Sequence, residues 1–316
     1  MSKHKEIDLS KIHEAPLKKR KNKVSVKDFA KPGKSDSFKS FWDSMPDILA
    51  AGDIRKVVAA VRRARDRGKP VIWFMGAHVI KVGLSPLIID LMKDGYVTAV
   101  GLNGAGAIHD TEIAMIGGTS EEVAAGIHDG TFGMSRETSD FINSAVNAGV
   151  LEGWGFGESV GRAIAGAKLP NSDKSILASA ARLGIPATVH VAVGTDIIHI
   201  HPSFDAACTG EASARDFRIM ANVISGIGNG GVIMNVGSAV ILPLIVEKSL
   251  SIARNLGKNV SKFTGVNLDF IQHYRANLNP VKRARELEGA GISITGHHEI
   301  NVPLIYWALK TGTGVG

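Results

Sequence analysis

Val97-Thr-Ala-Val-Gly-Leu-Asn-Gly-Ala-Gly-Ala-Ile-His-Asp110 reads as a strand that breaks on glycines and restarts as a helix. In an α/β chain such a turn is where phosphates sit. Glycines let backbone approach a ligand, and free N–H groups at a helix start attract anions. Asn103, Gly104, Ala105, Gly106 and Asp110 are therefore expected to bind a nucleotide cofactor. The usual Gly-x-Gly-x-x-Gly spacing fails at its third glycine, where His109 stands. His109 is expected in the first helical turn, where the helix dipole disfavours an imidazolium and favours a neutral ring. Asp110 suits a helix start and can equally be a cap.

The same arrangement recurs outward from this stretch. Asp53–Gly68 has apolar residues at 54, 57, 58 and 61, one face of a helix. Val71–Met75 reads as a buried strand ending in Gly76-Ala-His78, and Leu84–Lys93 as a helix. Helices are expected near Arg136–Asn147, Glu158–Gly166 and Asp173–Leu183. Further strands are expected at Thr188–Val193, Gly231–Asn235, Lys262–Val266 and Ile292–Thr295, with helices at Glu211–Ser225 and Val240–Asn255 between them. Strands alternating with long helices predict a doubly wound, mostly parallel, Rossmann-like sheet with helices on both faces. The polar residues that could do chemistry follow strand ends, the edge where such sheets bind ligands.

Charge is uneven. Residues 1–40 hold 12 Lys/Arg and 5 Asp/Glu, and the rest of the 316-residue chain holds 25 of each sign. The basic pI of about 9.4 thus belongs to a basic, flexible arm, and a single domain is expected over 41–316. Phe29, Phe38, Phe41 and Trp42 could anchor the arm on a neighbouring subunit or an acidic partner. A balanced body gives no reason to expect a nucleic-acid partner. No apolar run reaches about 20 residues, so neither a membrane partner nor a signal segment is expected and the cytoplasm is the default. Cys208, the one cysteine, excludes an intrachain disulfide and a cysteine-based zinc site.

Three constellations compete for the chemistry. His199-Ile-His201 would share a face if it lay on a strand, and with His190, His297, His298 and Glu299 it could form a metal-dependent hydrolytic site. No recognised zinc spacing is present, so no metal ligand is assigned. Asp110, Glu112, Asp129, Asp196, Asp205, Asp269 and Glu299 near the rim would suit a cationic substrate such as a polyamine. Lys81 could form a Schiff base if desolvated.

Gly83-Leu84, Asn103–Asp110 and Gly194-Thr-Asp196 resemble the deoxyhypusine synthase family. Those enzymes bind NAD on a Rossmann-like sheet as homotetramers, and move an aminobutyl group from spermidine to a protein lysine through an enzyme-lysine imine. Ala77–Leu84 stands where the family has Ser-Asn-x-x-Ser-Gly-Leu, with His78-Val79 replacing Ser-Asn. Gly228–Gly237 is similar to its glycine-rich turn but does not run into Lys-His-His. The Trp-Gly-Lys segment that carries the imine lysine has no counterpart; Lys282 lies at a similar distance along the chain.

The resemblance implies an NAD-binding, deoxyhypusine-synthase-like transferase of a small amine, working by aminobutyl-type transfer or amine oxidation. NAD is expected on His78, Asn103, Gly104, Ala105, Gly106, Asp110, Asp196, Gly237, Ser238, Asn267 and Asp269. His109, His199, His298, Glu299 and Lys282 are the catalytic candidates. The alternatives are a true deoxyhypusine or homospermidine synthase with Lys282 or Lys81 as a displaced lysine, the metal-dependent hydrolase, and a non-catalytic nucleotide-binding protein.

Overall fold

The computed structural model describes residues 3–312. After short 3-10 turns come α1 (Phe38–Ser44), α2 (Leu49–Asp66), β1 (Val71–Met75), α3 (His78–Lys81), α4 (Ser85–Lys93), β2 (Ala99–Asn103) and α5 (Gly104–Ile116). Then follow α6 (Val123–Asp129), α7 (Arg136–Leu151), α8 (Phe156–Gly166), α9 (Ile176–Leu183), β3 (Ala187–His190) and α10 (Ala206–Ser225). The chain continues through β4 (Val232–Val236), α11 (Ile241–Asn255), β5 (Thr264–Asp269), α12 (Tyr274–Ala276), α13 (Arg283–Glu286), β6 (Ala290–Thr295) and α14 (His298–Lys310).

The strands form one sheet in the order β3-β2-β1-β4-β5-β6, every pair parallel. This is the doubly wound architecture expected from the alternation of strands and helices. Each residue of β1 is buried, as befits the central strand of a sheet covered on both faces. Trp73 and Met75 belong to the larger core, under α2, α4, α5, α8, α9 and α14. Ile72 and Phe74 belong to the smaller core, under α10 and α11. The strand order reverses between β1 and β4, the chain building outward to one side and then the other, which makes this the topological switch point.

Several boundaries differ from the sequence reading for local reasons. β3 stops at His190, before the expected Val193, because Val191 N–H turns away to Ser213 Oγ at 3.2 Å. Helix α9 starts at Ile176, where Ser175 caps it. α1 crosses the expected boundary at residue 41, and Trp42 is fully buried while Phe38 packs near Trp307. Phe29 and Phe41 remain exposed. The 3-10 turns before α1 contain no buried residue. No helix among the described residues is long and apolar enough to cross a membrane.

Candidate active site

Two groups of residues meet at the carboxyl edge of the sheet. The first lies beside the ends of β2 and β3. Asn103 is the N-cap of α5, its Oδ1 accepting from Gly106 N–H at 3.0 Å. Gly104 begins the helix because Asp196 reaches over it: a Cβ there would lie 1.9 Å from Asp196 Oδ2. Asp196, Glu112, Glu121, His109, Ile108 and Lys81 are among the residues around a cavity of about 240 Å³.

Asp196 is the N-cap of the Ile197–Ile200 3-10 turn, in a capping box with His199, and burial pushes its carboxyl up to about 6. His199 is behind it. Its Nδ1 accepts the N–H groups of Gly194 at 3.1 Å and Asp196 at 3.2 Å, so its proton sits on Nε2, 4.0 Å from Asp196 Oδ2. A nitrogen accepting two amides cannot be protonated, and burial lowers the pKa of this ring as well.

The second group lies at the switch point. The turns after β1 and β4 touch, and a Cβ on Gly76 would lie 2.1 Å from Gly237 O. The His298 ring covers Gly237, and its Nε2 donates to Leu268 O at 3.1 Å. That leaves His298 Nδ1 as a buried lone pair without a partner among the described residues. Burial lowers the His298 pKa, against the opposing Leu268 carbonyl. His78 and Phe270 pack edge-on to this ring, at 5.7 and 6.0 Å. His297 stacks on Phe270, and Glu299 is half-exposed 3.8 Å from His297 Nδ1. The one-turn helix α3 joins the groups, with His78 in this cluster and Lys81 on the cavity.

An amide chain underlies the second group. Asn235 Nδ2 donates to Ser238 O and to Asn267 Oδ1, and Asn267 Nδ2 donates to Gln272 Oε1. Gln272 Nε2 donates to the carbonyls of Asp269 and Ile294. Asn267 is thus committed to tying the ends of β4, β5 and β6 together. Asp269 Oδ1 accepts Phe270 N–H at 2.8 Å.

Several sequence expectations need correction. Asp110 is fully buried and its carboxylate is taken up by structural bonds. It accepts from Ser175 Oγ at 2.5 Å, Ile176 N–H at 2.8 Å and Leu177 N–H at 3.0 Å, so it caps the distant helix α9. Burial still pushes its carboxyl up to about 6, against these bonds. Because α5 starts at Gly104, His109 lies in the second turn and not the first. His199 lies in a 3-10 turn, not a strand, and His201 Nε2 is bonded to Gly133 O. The pair therefore does not share a face, and no three His, Cys, Asp or Glu among the described residues are placed to hold a metal. Lys282 pairs with Glu286 at 3.7 Å in the Asn277–Lys282 segment. Pro280 and Val281 of that segment pack on Gly265 and Gly291, at the starts of β5 and β6, so Lys282 is at the opposite end of the sheet from the site.

Thr119, Glu121 and Asp216 went unmarked in the sequence. Thr119 and Glu121 follow Gly117, the left-handed residue that ends α5, and this fold-back was the available signal. Asp216 Oδ2 accepts Gly157 N–H at 2.8 Å and Val189 N–H at 2.7 Å, joining α8 to β3. Burial pushes its carboxyl up to about 7.

A dinucleotide at this edge needs a place for its phosphates. The Asn103–Gly106 turn does not fit them: Asp196 fills the space over Gly104, and a phosphate would meet that carboxylate. The start of α11 does fit. The N–H groups of Ala239, Val240 and Ile241 donate to no acceptor among the described residues, and the 15-residue helix aligns its dipole behind them.

No protein-family model matches the sequence, and no curated protein matches it significantly. Solved structures share the fold. A candidate deoxyhypusine synthase from Entamoeba histolytica aligns at 11% identity with a TM-score of 0.52, over 89% of this chain and 95% of that one. AgrE in ternary complex with ornithine and NAD+ aligns at 16% identity and 0.52, over 82% of this chain and 33% of AgrE. Unliganded AgrE gives 17% and 0.53, over 82% and 32%. The chain spans about a third of the length of AgrE.

Proposed function

We propose that this chain is an NAD-dependent enzyme acting on a small amine or polyamine, related to the deoxyhypusine synthases. One observation carries the reading: Glu112, Glu121 and Asp196 place three carboxylates around a single small cavity at the sheet edge, one turn of α3 from the switch point. Carboxylates with a histidine in a cavity of about 240 Å³ suit a cationic molecule too small to be the dinucleotide itself. Ser238 and the free amides at the start of α11 would hold the pyrophosphate, with His78, Gly237 and His298 lining the crevice beside it. When bound, NAD supplies the oxidant for an amine carbon. AgrE, of like fold, was solved with ornithine and NAD+, which supports a related ligand pair here.

The test is direct. NAD+ with spermidine or ornithine should yield NADH, and NAD+ alone should show binding by calorimetry. Absence of both sinks the reading. A second reading is aminobutyl transfer through Lys81, favoured because Lys81 lines the cavity and Lys282 does not. Borohydride in the presence of spermidine and NAD+ should then fix label on the wild-type protein and not on Lys81→Ala. The resemblance also implies a homotetramer, which light scattering would read.

A further inference from the structure

His109 is held by a relay. Its Nδ1 lies 2.5 Å from Thr119 Oγ1, and the Thr119 hydroxyl donates to Glu112 Oε2. Glu112 Oε1 accepts from Thr138 Oγ1 at 3.3 Å. The direct separation of His109 Nδ1 from Glu112 is 3.7 Å, too long for a hydrogen bond, so the threonine is the connection.

The proton positions follow from donor and acceptor capacity. A carboxylate only accepts, and Thr119 has one hydroxyl proton, which goes to Glu112. The threonine oxygen must then accept from the ring. His109 Nδ1 therefore carries the proton, and in the neutral ring Nε2 holds the lone pair. Burial works against the charge on Glu112, but His109, Thr119 and Thr138 together outweigh it and hold the carboxyl below its ordinary range. His109 is on the cavity wall, whereas Thr119 does not line it.

An amine arrives at neutral pH as an ammonium, whose nitrogen has no lone pair. It can neither lose a hydride from its carbon nor attack a carbonyl until a proton leaves. We propose that His109 is the proton acceptor of this cavity, fixed in the Nδ1–H tautomer by Thr119 and Glu112, and that it deprotonates the bound ammonium. The ammonium N–H bond breaks and its electron pair stays on nitrogen. The proton bonds to Nε2, and Glu112 balances the resulting imidazolium through Thr119. Besides Glu112 on its own helix, the charged groups around His109 are Lys81 of α3, Glu121 of the loop after α5, and Asp196 of the loop after β3. The proposal rests on the amine reading above for its substrate and on geometry alone for its tautomer.

The two parts are tested separately. In the full chain labelled with 15N-histidine, long-range 1H–15N correlation should show His109 protonated at Nδ1 and bare at Nε2. Thr119→Val should abolish that preference and Thr119→Ser should keep it. With spermidine and NAD+ as probes, His109→Gln should lower kcat about 100-fold with KM nearly unchanged, and added imidazole should restore part of it. Thr119→Val should lower kcat about tenfold, and Thr119→Ser should restore it. An Nε2–H tautomer in the wild type overturns the relay. Undiminished kcat in His109→Gln overturns the base. A wild type with the stated tautomer that turns over neither spermidine nor ornithine overturns the amine reading, and the base with it.

Discussion

Asp110 and Asp196 flank the same glycine-rich turn, and burial pushes each carboxyl up to about 6. Their surroundings are opposite. Asp110 is enclosed and bonded to three donors at the start of α9. Asp196 borders a cavity, caps only the short Ile197–Ile200 turn, and lies against a glycine that leaves it room. Burial and a shifted pKa therefore do not separate the structural carboxylate from the one available to a ligand. Unspent hydrogen-bonding capacity beside open space does.

The largest expected effect is on the enclosed side. Asp110→Ala strands a hydroxyl and two amides, and should cost roughly 4 kcal/mol in urea denaturation. Asp196→Ala should cost only about 1 kcal/mol, the usual loss of a single N-cap. Equal losses in the two variants would erase the contrast.

Ligand binding should invert the ranking. Asp196→Asn removes a charge from the cavity wall and should weaken ornithine or spermidine about tenfold by calorimetry. Gly104→Ala should weaken it similarly by displacing Asp196, while leaving α5 intact, since alanine favours helix.

A pH-dependent effect is predicted for Asp216. Its carboxyl is raised in the folded state from an ordinary 3.8 to about 7, by burial. The folded chain thus holds this proton more tightly than the unfolded chain. The group's favourable contribution is complete below pH about 4 and is lost as pH rises to about 7. Thermal melts of the wild type should fall across this window relative to Asp216→Asn, which cannot titrate. Least of all should be Lys282→Ala: its exposed ion pair with Glu286 predicts a stability change within about 0.5 kcal/mol and unchanged turnover of spermidine.

The strands were legible because a central parallel strand such as Val71–Met75 is apolar throughout, a local signal. The edge where the candidate site lies was legible too, since polar residues cluster after strand ends. What escaped depended on partners distant in sequence. Asp110 looks like a cap for its own helix, yet it serves Ser175 and the two residues after it, about 65 positions away. Helix α5 starts on glycines, which intrinsic preference disfavours, and its start is set by the Asn103 cap and by Asp196 overhead. His199 and His201 alternate as strand residues would. The chain has already left the sheet there, since β3 ends at His190. Lys282 matched a distance along the chain, and spacing in sequence says nothing about which end of a sheet a segment returns to.

The outward-facing Val189 of β3 has its N–H taken by Asp216 and its C=O by Ser213 Oγ, both from α10. Ser213 also accepts Val191 N–H. The helix that covers one face of the sheet thereby insulates its rim, and an incoming strand finds these backbone groups already occupied. The bare amide row that templates edge-to-edge aggregation is closed off on this side. Loosening α10 would uncover a sticky border together with the core it covers, Ile72 and Phe74 of β1 included.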